Sequence, residues 1–131
     1  MSDPLVQRLR LLDTASVSDA LDKLGLAGVV NGLRQRGGVS GGSRLAGRAL
    51  TVKLGVTDPS RDDDPPLCAR AIESGGSEHV IVIEQRTGID AACWGGLLTL
   101  GATLRGLQGA IVDGAIRDVD DASEYHFPIY S

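Results

Sequence analysis

The residues of this sequence best suited to chemistry lie together in the stretch GAIVDGAIRDVDD, residues 109–121. An apolar run that reads as a buried strand breaks at an Asp-Gly and leads into five charged side chains: Asp113, Arg117, Asp118, Asp120 and Asp121. One arginine among carboxylates could hold a divalent cation together with an anionic substrate. The same residues could form a solvated loop, because Asp-Gly alone is a turn signal and an exposed Arg-Asp pair contributes little energy.

A second feature is the Trp94-Gly95-Gly96 sequence at the predicted start of a helix over 94–106. The free N–H groups and positive dipole end of such a helix suit a carboxylate, and glycine lets a ligand approach the backbone closely. Gly95, Gly96 and the amides of 96–98 could therefore bind a carboxylate, with Arg117 on a second oxygen and Asp118 on a metal. A 2-keto acid presents a carboxylate and a keto oxygen that together chelate Mg²⁺ or Mn²⁺, so this arrangement suits stabilisation of an enolate.

The elements that must position these residues alternate along the chain. Apolar and polar spacing predicts strands at 48–54, 79–84 and 109–114 and a helix at 94–106. A helix at 4–12 would carry Leu5, Leu9 and Leu12 on one side, and a helix from Pro65 or Pro66 would end at Gly75. Another helix would begin at a capping box formed by Ser16 and Asp19 and end at Gly25, and its apolar stripe would consist of Val17, Ala20, Leu21 and Leu24. Strand, helix and strand in turn predict an α/β fold with parallel pairing. In such a sheet ligands bind beyond the carboxyl ends of the strands, where 84–86 and 113–121 would meet. HFPIYS, residues 126–131, looks like the start of another strand.

Composition bounds the kind of protein. The 131 residues predict one domain, and a net charge of −4 argues against nucleic-acid binding driven by electrostatics. Cys68 and Cys93 match no metal or redox spacing, so two free thiols are expected. The sequence has no signal-peptide pattern and no apolar run long enough for a membrane span, which predicts a cytoplasmic protein without a membrane partner. Asp62, Asp63 and Asp64 are expected to form a solvated loop tip.

The segment AACWGGLLTLGATLRGLQGAIVDGAIRDVDD closely resembles the RraA-like family, and the resemblance continues upstream through TASVSDALDKLG and RLAGRALTVKL. That family contains the regulator of ribonuclease E activity A. It also contains the class II 4-hydroxy-4-methyl-2-oxoglutarate / 4-carboxy-4-hydroxy-2-oxoadipate aldolases, which also decarboxylate oxaloacetate. The fold implied by the resemblance is α/β, a layered α/β/α swivelling domain with a mostly parallel central sheet.

The resemblance also implies roles for individual residues. Active aldolases of the family carry an Asp or a Gly twenty residues before an Arg-Asp pair, and the glycine version adds a later acidic residue. This sequence has Gly96, twenty residues, Arg117-Asp118 and then Asp121. By that resemblance Asp118 is the metal ligand, Arg117 binds the keto or enolate oxygen, and Asp121 holds water molecules on the metal. The amides of Leu97 and Leu98 would bind the carboxylate of the pyruvyl group.

The resulting expectation is a metal-dependent lyase that cleaves a C–C bond in small 2-keto acids, with Mg²⁺ or Mn²⁺ as cofactor. The alternative is an RraA-type protein-binding regulator of an RNA-processing enzyme, without catalysis. A catalytically weakened fragment or paralogue is a third reading, because family members usually continue with further strands beyond the segment corresponding to 126–131. The chain is therefore expected to be a single RraA-like domain, 1–131, that is C-terminally short. The resemblance further implies a homo-oligomer, a trimer or a dimer of trimers.

Overall fold

The structure, a computed structural model, describes residues 3–39, 44–56 and 65–131. Five helices and five strands occur there: α1 (Pro4–Arg10), α2 (Thr14–Lys23), β1 (Gln35–Gly37), β2 (Arg48–Leu54), α3 (Leu67–Ser74), β3 (His79–Gln85), α4 (Gly96–Leu104), β4 (Ala110–Asp113), α5 (Val119–Glu124) and β5 (Ile129–Tyr130). The predicted acidic loop tip at 62–64 lies outside the described residues.

The strands form one five-stranded sheet in the order β1-β5-β4-β3-β2. The pairings of β2 with β3, β3 with β4 and β4 with β5 are parallel, and only β1 joins its neighbour antiparallel. The α/β fold with a mostly parallel sheet is therefore confirmed. Because β2 and β3 pair as far as Leu54 and Gln85, and β3 and β4 as far as Glu84 and Asp113, their carboxyl ends lie side by side.

One face of the sheet carries the hydrophobic core. Alternate residues of β3 point to it, so Ile81 and Ile83 are fully buried beneath α3, α4 and α5. Phe127, which precedes β5, stacks on Trp94 with 6.2 Å between ring centroids and an interplanar angle of 10°. Trp94 is 1% exposed, so an indole directly before α4 is anchored in the core.

The opposite face is less completely covered among the described residues, although Val80 is buried there. Val82 and Ile111 are only half-buried there, and with Tyr130 they line a groove of about 660 Å³ between the sheet and the first two helices. Leu9 of α1 and Val17 of α2 form the other wall. The two faces of this sheet are thus packed very differently.

Several expectations about single helices are wrong in detail. Asp13, not Ser16, is the N-cap of α2, since its carboxylate accepts hydrogen bonds from the Ser16 N–H at 2.8 Å and hydroxyl at 2.9 Å. Helix α1 ends at Arg10, before the predicted end at 12. It buries Val6 and none of the three leucines, and α2 buries no residue. The predicted end signals are right, however, since Gly25 follows α2 with a φ of +66° and Gly75 follows α3.

The last two elements also differ from the expectation. Helix α5 over 119–124 is not among the predicted elements, because its six residues are too few to show a helical period. Strand β5 covers only Ile129–Tyr130 of the segment 126–131 that looks like a strand, and it pairs with β4 on one side and β1 on the other. Among the described helices, none has both the length and the apolar character that crossing a membrane requires.

Candidate active site

The two loops that follow β3 and β4 run side by side and bring the candidate residues together. Cys93 N donates to Ala115 O at 2.9 Å, and Arg117 N donates to Trp94 O at 3.0 Å. Trp94 and Ile116 form an isolated parallel bridge between these two bonds. This short ladder places the start of α4 against the start of α5.

Asp118 is the centre of the arrangement. Its Oδ2 accepts a hydrogen bond from Gly96 N at 3.0 Å and lies 3.4 Å from Arg117 Nε. Asp118 is the N-cap of α5, yet its carboxylate makes no hydrogen bond to that helix and reaches the amino end of α4 instead. Its φ of +56° and ψ of +43° are in the left-handed region, which non-glycine residues seldom adopt. Such backbone strain clusters at functional sites.

Positions 95 and 96 have no room for a side chain, so both must be glycine. A Cβ on Gly95 would lie 2.9 Å from Asp118 Oδ2 and 3.1 Å from Arg117 Nε. A Cβ on Gly96 would overlap the carboxylate of Asp121, which is half-buried against the helix start. Arg117, Asp118 and Asp121 therefore lie around a backbone surface that only glycine leaves open.

The structure brings these five predicted residues together, and the amides of Leu97 and Leu98 adjoin them. The first N–H groups of a helix have no partner within it. That of Gly96 is taken by Asp118, and no acceptor is found for those of Leu97 and Leu98 among the described residues. Both amides remain available to an anion at the positive end of α4. The Leu97 side chain is 84% exposed, so its contribution there is its backbone.

The donor set fits a hard cation such as Mg²⁺ or Mn²⁺. In the described part of the chain, no group of three or more His, Cys, Asp or Glu residues could enclose a metal ion. Mg²⁺ does not need such a group, since it commonly keeps several waters and binds one or two carboxylates plus the substrate. Asp118 uses Oδ2 for Gly96 and Arg117, and its Oδ1 has no hydrogen-bond donor among the described residues. The carboxylate is 45% exposed, so this oxygen can take part in such coordination.

Two further residues hold these loops: Thr99, which the sequence did not single out, and Gln85, which belongs to the segment 84–86 predicted to reach this end of the sheet. Thr99 is completely buried; its Oγ1 accepts from Trp94 Nε1 at 2.9 Å and donates to Gly95 O at 3.0 Å. Gln85, the last residue of β3, links both loops through its side-chain amide. Thr99 is a polar residue in the first turn of an otherwise apolar helix, and this pattern could have predicted a buried hydrogen bond to the turn before the helix. The position of Gln85 after a predicted strand placed it near the site, but no local signal indicated that its side chain links the two loops.

Charged residues nearby pair with one another. Arg86 contacts Asp113 Oδ2 through both Nε and Nη2 at 3.0 Å, and lies 3.8 Å from Glu84, which is also 3.8 Å from Lys53. Asp113 thus has an ion-pair partner at the end of β4. This ion pair sets it apart from the carboxylates of 118 and 121, which lie against the start of α4.

The cysteines are free thiols, as expected, and neither is a poised nucleophile. Burial raises the pKa of the Cys68 thiol, and the nearby Cys93 raises it further. Burial also raises the pKa of Cys93. Both thiols are therefore protonated at neutral pH. The two histidines lie apart from the candidate site: His79 begins β3 at the amino end of the sheet, and His126 bonds the Ser123 carbonyl.

Sequence comparison places this geometry in a family context. The family model RraA-like (Aldolase/RraA) matches residues 14–131. Among curated proteins, DlpA of Legionella pneumophila is 32% identical over 126 residues, which are 96% of this chain and 20% of that protein. A Halalkalibacterium halodurans protein named "Putative 4-hydroxy-4-methyl-2-oxoglutarate aldolase" is 29% identical over 126 residues, covering 95% of this chain and 54% of its own length. The chain thus spans about half, or less, of these relatives.

Solved structures agree. An uncharacterized protein from Pseudomonas syringae pv. tomato has a TM-score of 0.81 at 32% identity, over all of this chain and 56% of its own. The RNA-processing inhibitor RraA from Thermus thermophilus has a TM-score of 0.66 at 24% identity, over 86% of this chain and 63% of its own, a likeness that shows the fold alone. On the match over 14–131, supported by the shared fold, the chain belongs to the RraA-like family.

Proposed function

We propose that this domain is a divalent-metal-dependent lyase that cleaves a C–C bond in small 2-keto acids and releases pyruvate. The observation that carries the proposal is the convergence of Arg117, Asp118 and Asp121 on the amino end of α4, with Asp118 in a strained backbone conformation. Relatives named as aldolases of 4-hydroxy-4-methyl-2-oxoglutarate support the same class of chemistry.

Substrate binding would use the amino end of α4. The amides of Leu97 and Leu98 would donate to the substrate carboxylate, aided by the helix dipole. Gly95 and Gly96 leave the space that the substrate needs to reach this backbone. The exposed guanidinium of Arg117 would donate to the keto oxygen from the opposite loop.

Bond cleavage leaves negative charge on the former keto oxygen. Arg117 would stabilise that charge, and a donor fixed in place before the reaction is worth most in a site that excludes water. A Mg²⁺ or Mn²⁺ ion held by Asp118 would supply further Lewis-acid stabilisation there. Asp121, whose carboxylate lies against Gly96, would orient the water that returns a proton to the enolate carbon.

The test is pyruvate release from oxaloacetate with and without Mg²⁺ or Mn²⁺. Because metal ions alone decarboxylate oxaloacetate, the blank contains metal without protein. We expect metal-dependent turnover above that blank, and its loss in Arg117→Ala. Arg86→Ala is the matched control, since Arg86 is an equally exposed arginine that pairs with Asp113. If wild-type protein gives no turnover above the blank, a regulatory role without catalysis becomes the leading hypothesis.

A further inference from the structure

The side chain of Gln85 spans the gap between the two loops of the candidate site. Its Nε2 donates to Ala91 O at 2.7 Å, in the loop that leads to α4. Its Oε1 accepts from Ala115 N at 3.3 Å, in the loop that leads to Arg117. Both ends of one amide are therefore used, each by a different loop.

The surroundings accommodate this side chain closely. A Cβ on Gly114 would lie 2.7 Å from Gln85 Oε1 and 2.8 Å from Gln85 Cβ, so the glycine leaves the room that the glutamine fills. Gln85 is half-buried and ends β3, a strand fixed on both sides by β2 and β4. The amide is thus attached to the end of a central strand of the sheet.

The contact lies at the base of the ladder between the loops. Beyond it come the bonds of Cys93 N to Ala115 O and of Arg117 N to Trp94 O, and then the bond of Gly96 N to Asp118. Fixing the base of two adjacent loops limits how far their distal residues can shift relative to each other. A displacement of about 1 Å between reacting groups can cost about a hundredfold in rate.

We propose that Gln85 is a positioning residue that sets the register between the α4 start and the Arg117-Asp118 pair. Gln85 itself does not touch the groups proposed to bind substrate. Its catalytic importance rests on the proposed lyase function, whereas its structural role can be measured without any turnover.

The first experiment is amide hydrogen exchange by NMR on wild-type protein and Gln85→Met, which keeps the side-chain length and removes both hydrogen bonds. Faster exchange at Ala115 follows directly from the loss of its own bond to Gln85, so it does not by itself test the register between the loops. The informative amides are those of Arg117 and Gly96, which Gln85 does not contact, and we expect their exchange to accelerate about tenfold, the scale of one hydrogen bond. Ile81 N, bonded to Gly109 O at the far end of the sheet, should be unchanged.

The second experiment is steady-state kinetics of metal-dependent oxaloacetate decarboxylation. We expect Gln85→Met to lower kcat by about tenfold to a hundredfold with a smaller change in KM, because the alignment of reacting groups is lost more than ground-state binding. Gln108→Met is the matched control: the side-chain amide of that half-buried glutamine donates to Gly106 O at 3.4 Å, away from the site. Its kinetics should equal those of the wild type.

Gln85→Glu keeps the shape of the side chain and the acceptor for Ala115 N but loses the donor to Ala91 O. We expect it to fold and to show smaller effects in the same direction. The proposal is overturned if either Gln85 variant matches the wild type at Arg117 and Gly96 and in kcat. Wild-type protein that lacks turnover, while Gln85→Met still accelerates exchange at those two amides, would refute the lyase function and leave the positioning role standing.

Discussion

At the scale of single residues, Asp118 combines two constraints that seldom coincide. Its backbone is left-handed, which Asn, Asp and Gly tolerate best, and its carboxylate reaches another helix to accept from Gly96 N. The left-handed backbone directs the carboxylate toward the start of α4. One residue therefore sets both the direction of the side chain and the negative charge at this point. Sequence alone indicates the charge through the Arg-Asp pair, but it does not indicate the left-handed backbone.

The charge can be removed while the geometry is kept. Asp118→Asn tolerates the left-handed backbone and retains an oxygen that accepts from Gly96 N, so we expect an unchanged melting temperature. We expect the affinity for Mg²⁺ or Mn²⁺, measured by isothermal titration calorimetry, to fall by more than about tenfold. Mutation of a residue that merely hydrogen-bonds to a metal ligand already lowers metal affinity by about that factor. Asp120→Asn is the control, because Asp120 lies in the same turn and is exposed. Equal affinity in all three proteins would rule out Asp118 as the metal ligand.

Gly96 offers a second test at this scale. In Gly96→Ala the new Cβ would overlap the Asp121 carboxylate, so we expect Asp121 to be displaced and turnover to be lost. Gly101→Ala is the control on the same helix: its Cβ would meet only Ile72 Cγ2, at 3.9 Å. That variant should keep full turnover and gain up to about 1 kcal/mol of stability from helix propensity. Activity assays and thermal melts of both variants separate the two effects; full turnover in Gly96→Ala would contradict the assigned geometry.

At the scale of elements, the amino end of α4 depends on a buried polar contact. Trp94 Nε1 and Gly95 O both meet the Thr99 hydroxyl, which joins the turn before the helix to its first turn. The glycines, the strand ends and the Arg-Asp spacing could be predicted from the sequence, because each is a local signal. The Thr99 and Gln85 contacts could not, because they link residues through a geometry that exists only after the two loops pair.

Replacing Thr99 with valine keeps its volume and removes the hydroxyl. The indole N–H of Trp94 would then be buried without an acceptor, which costs about 1–3 kcal/mol. Thr103→Val is the control, since its hydroxyl donates back to the Thr99 carbonyl of the same helix at 2.7 Å. Trp94 is the single tryptophan, so urea unfolding followed by its fluorescence measures the free energy of unfolding of both variants. Equal stabilities would show that the Thr99 hydroxyl does not support this turn.

At the scale of the whole molecule, the two faces of the sheet are unequal. The alternation of strands and helices predicted the parallel sheet correctly, because β3 and β4 are apolar segments with clear ends and β2 alternates apolar and polar residues. The apolar stripes of α1 and α2 predicted the two helices but not their surroundings, since an apolar period shows that a helix has an apolar face but not what covers it. In the described residues that face borders an open groove.

Adjacent residues of β3 test this inequality. Ile83 is 1% exposed on the core face, so Ile83→Ala should cost about 2–5 kcal/mol. Val82 is half-buried on the groove face, so Val82→Ala should cost less than about 1 kcal/mol. Urea denaturation of the two variants measures both values. Similar losses would mean that the groove face is as tightly packed as the core.

The left-handed backbone of Asp118 also bears on how this site can change by mutation. Codons for aspartate are one base away from those for asparagine and for glycine, and both of these residues accept the same backbone. A single base substitution could therefore abolish the negative charge at 118 while α5 keeps its start and the sheet keeps its core. Loss of the proposed chemistry and loss of the fold are thus separable in one genetic step, which leaves a folded domain free to acquire another role.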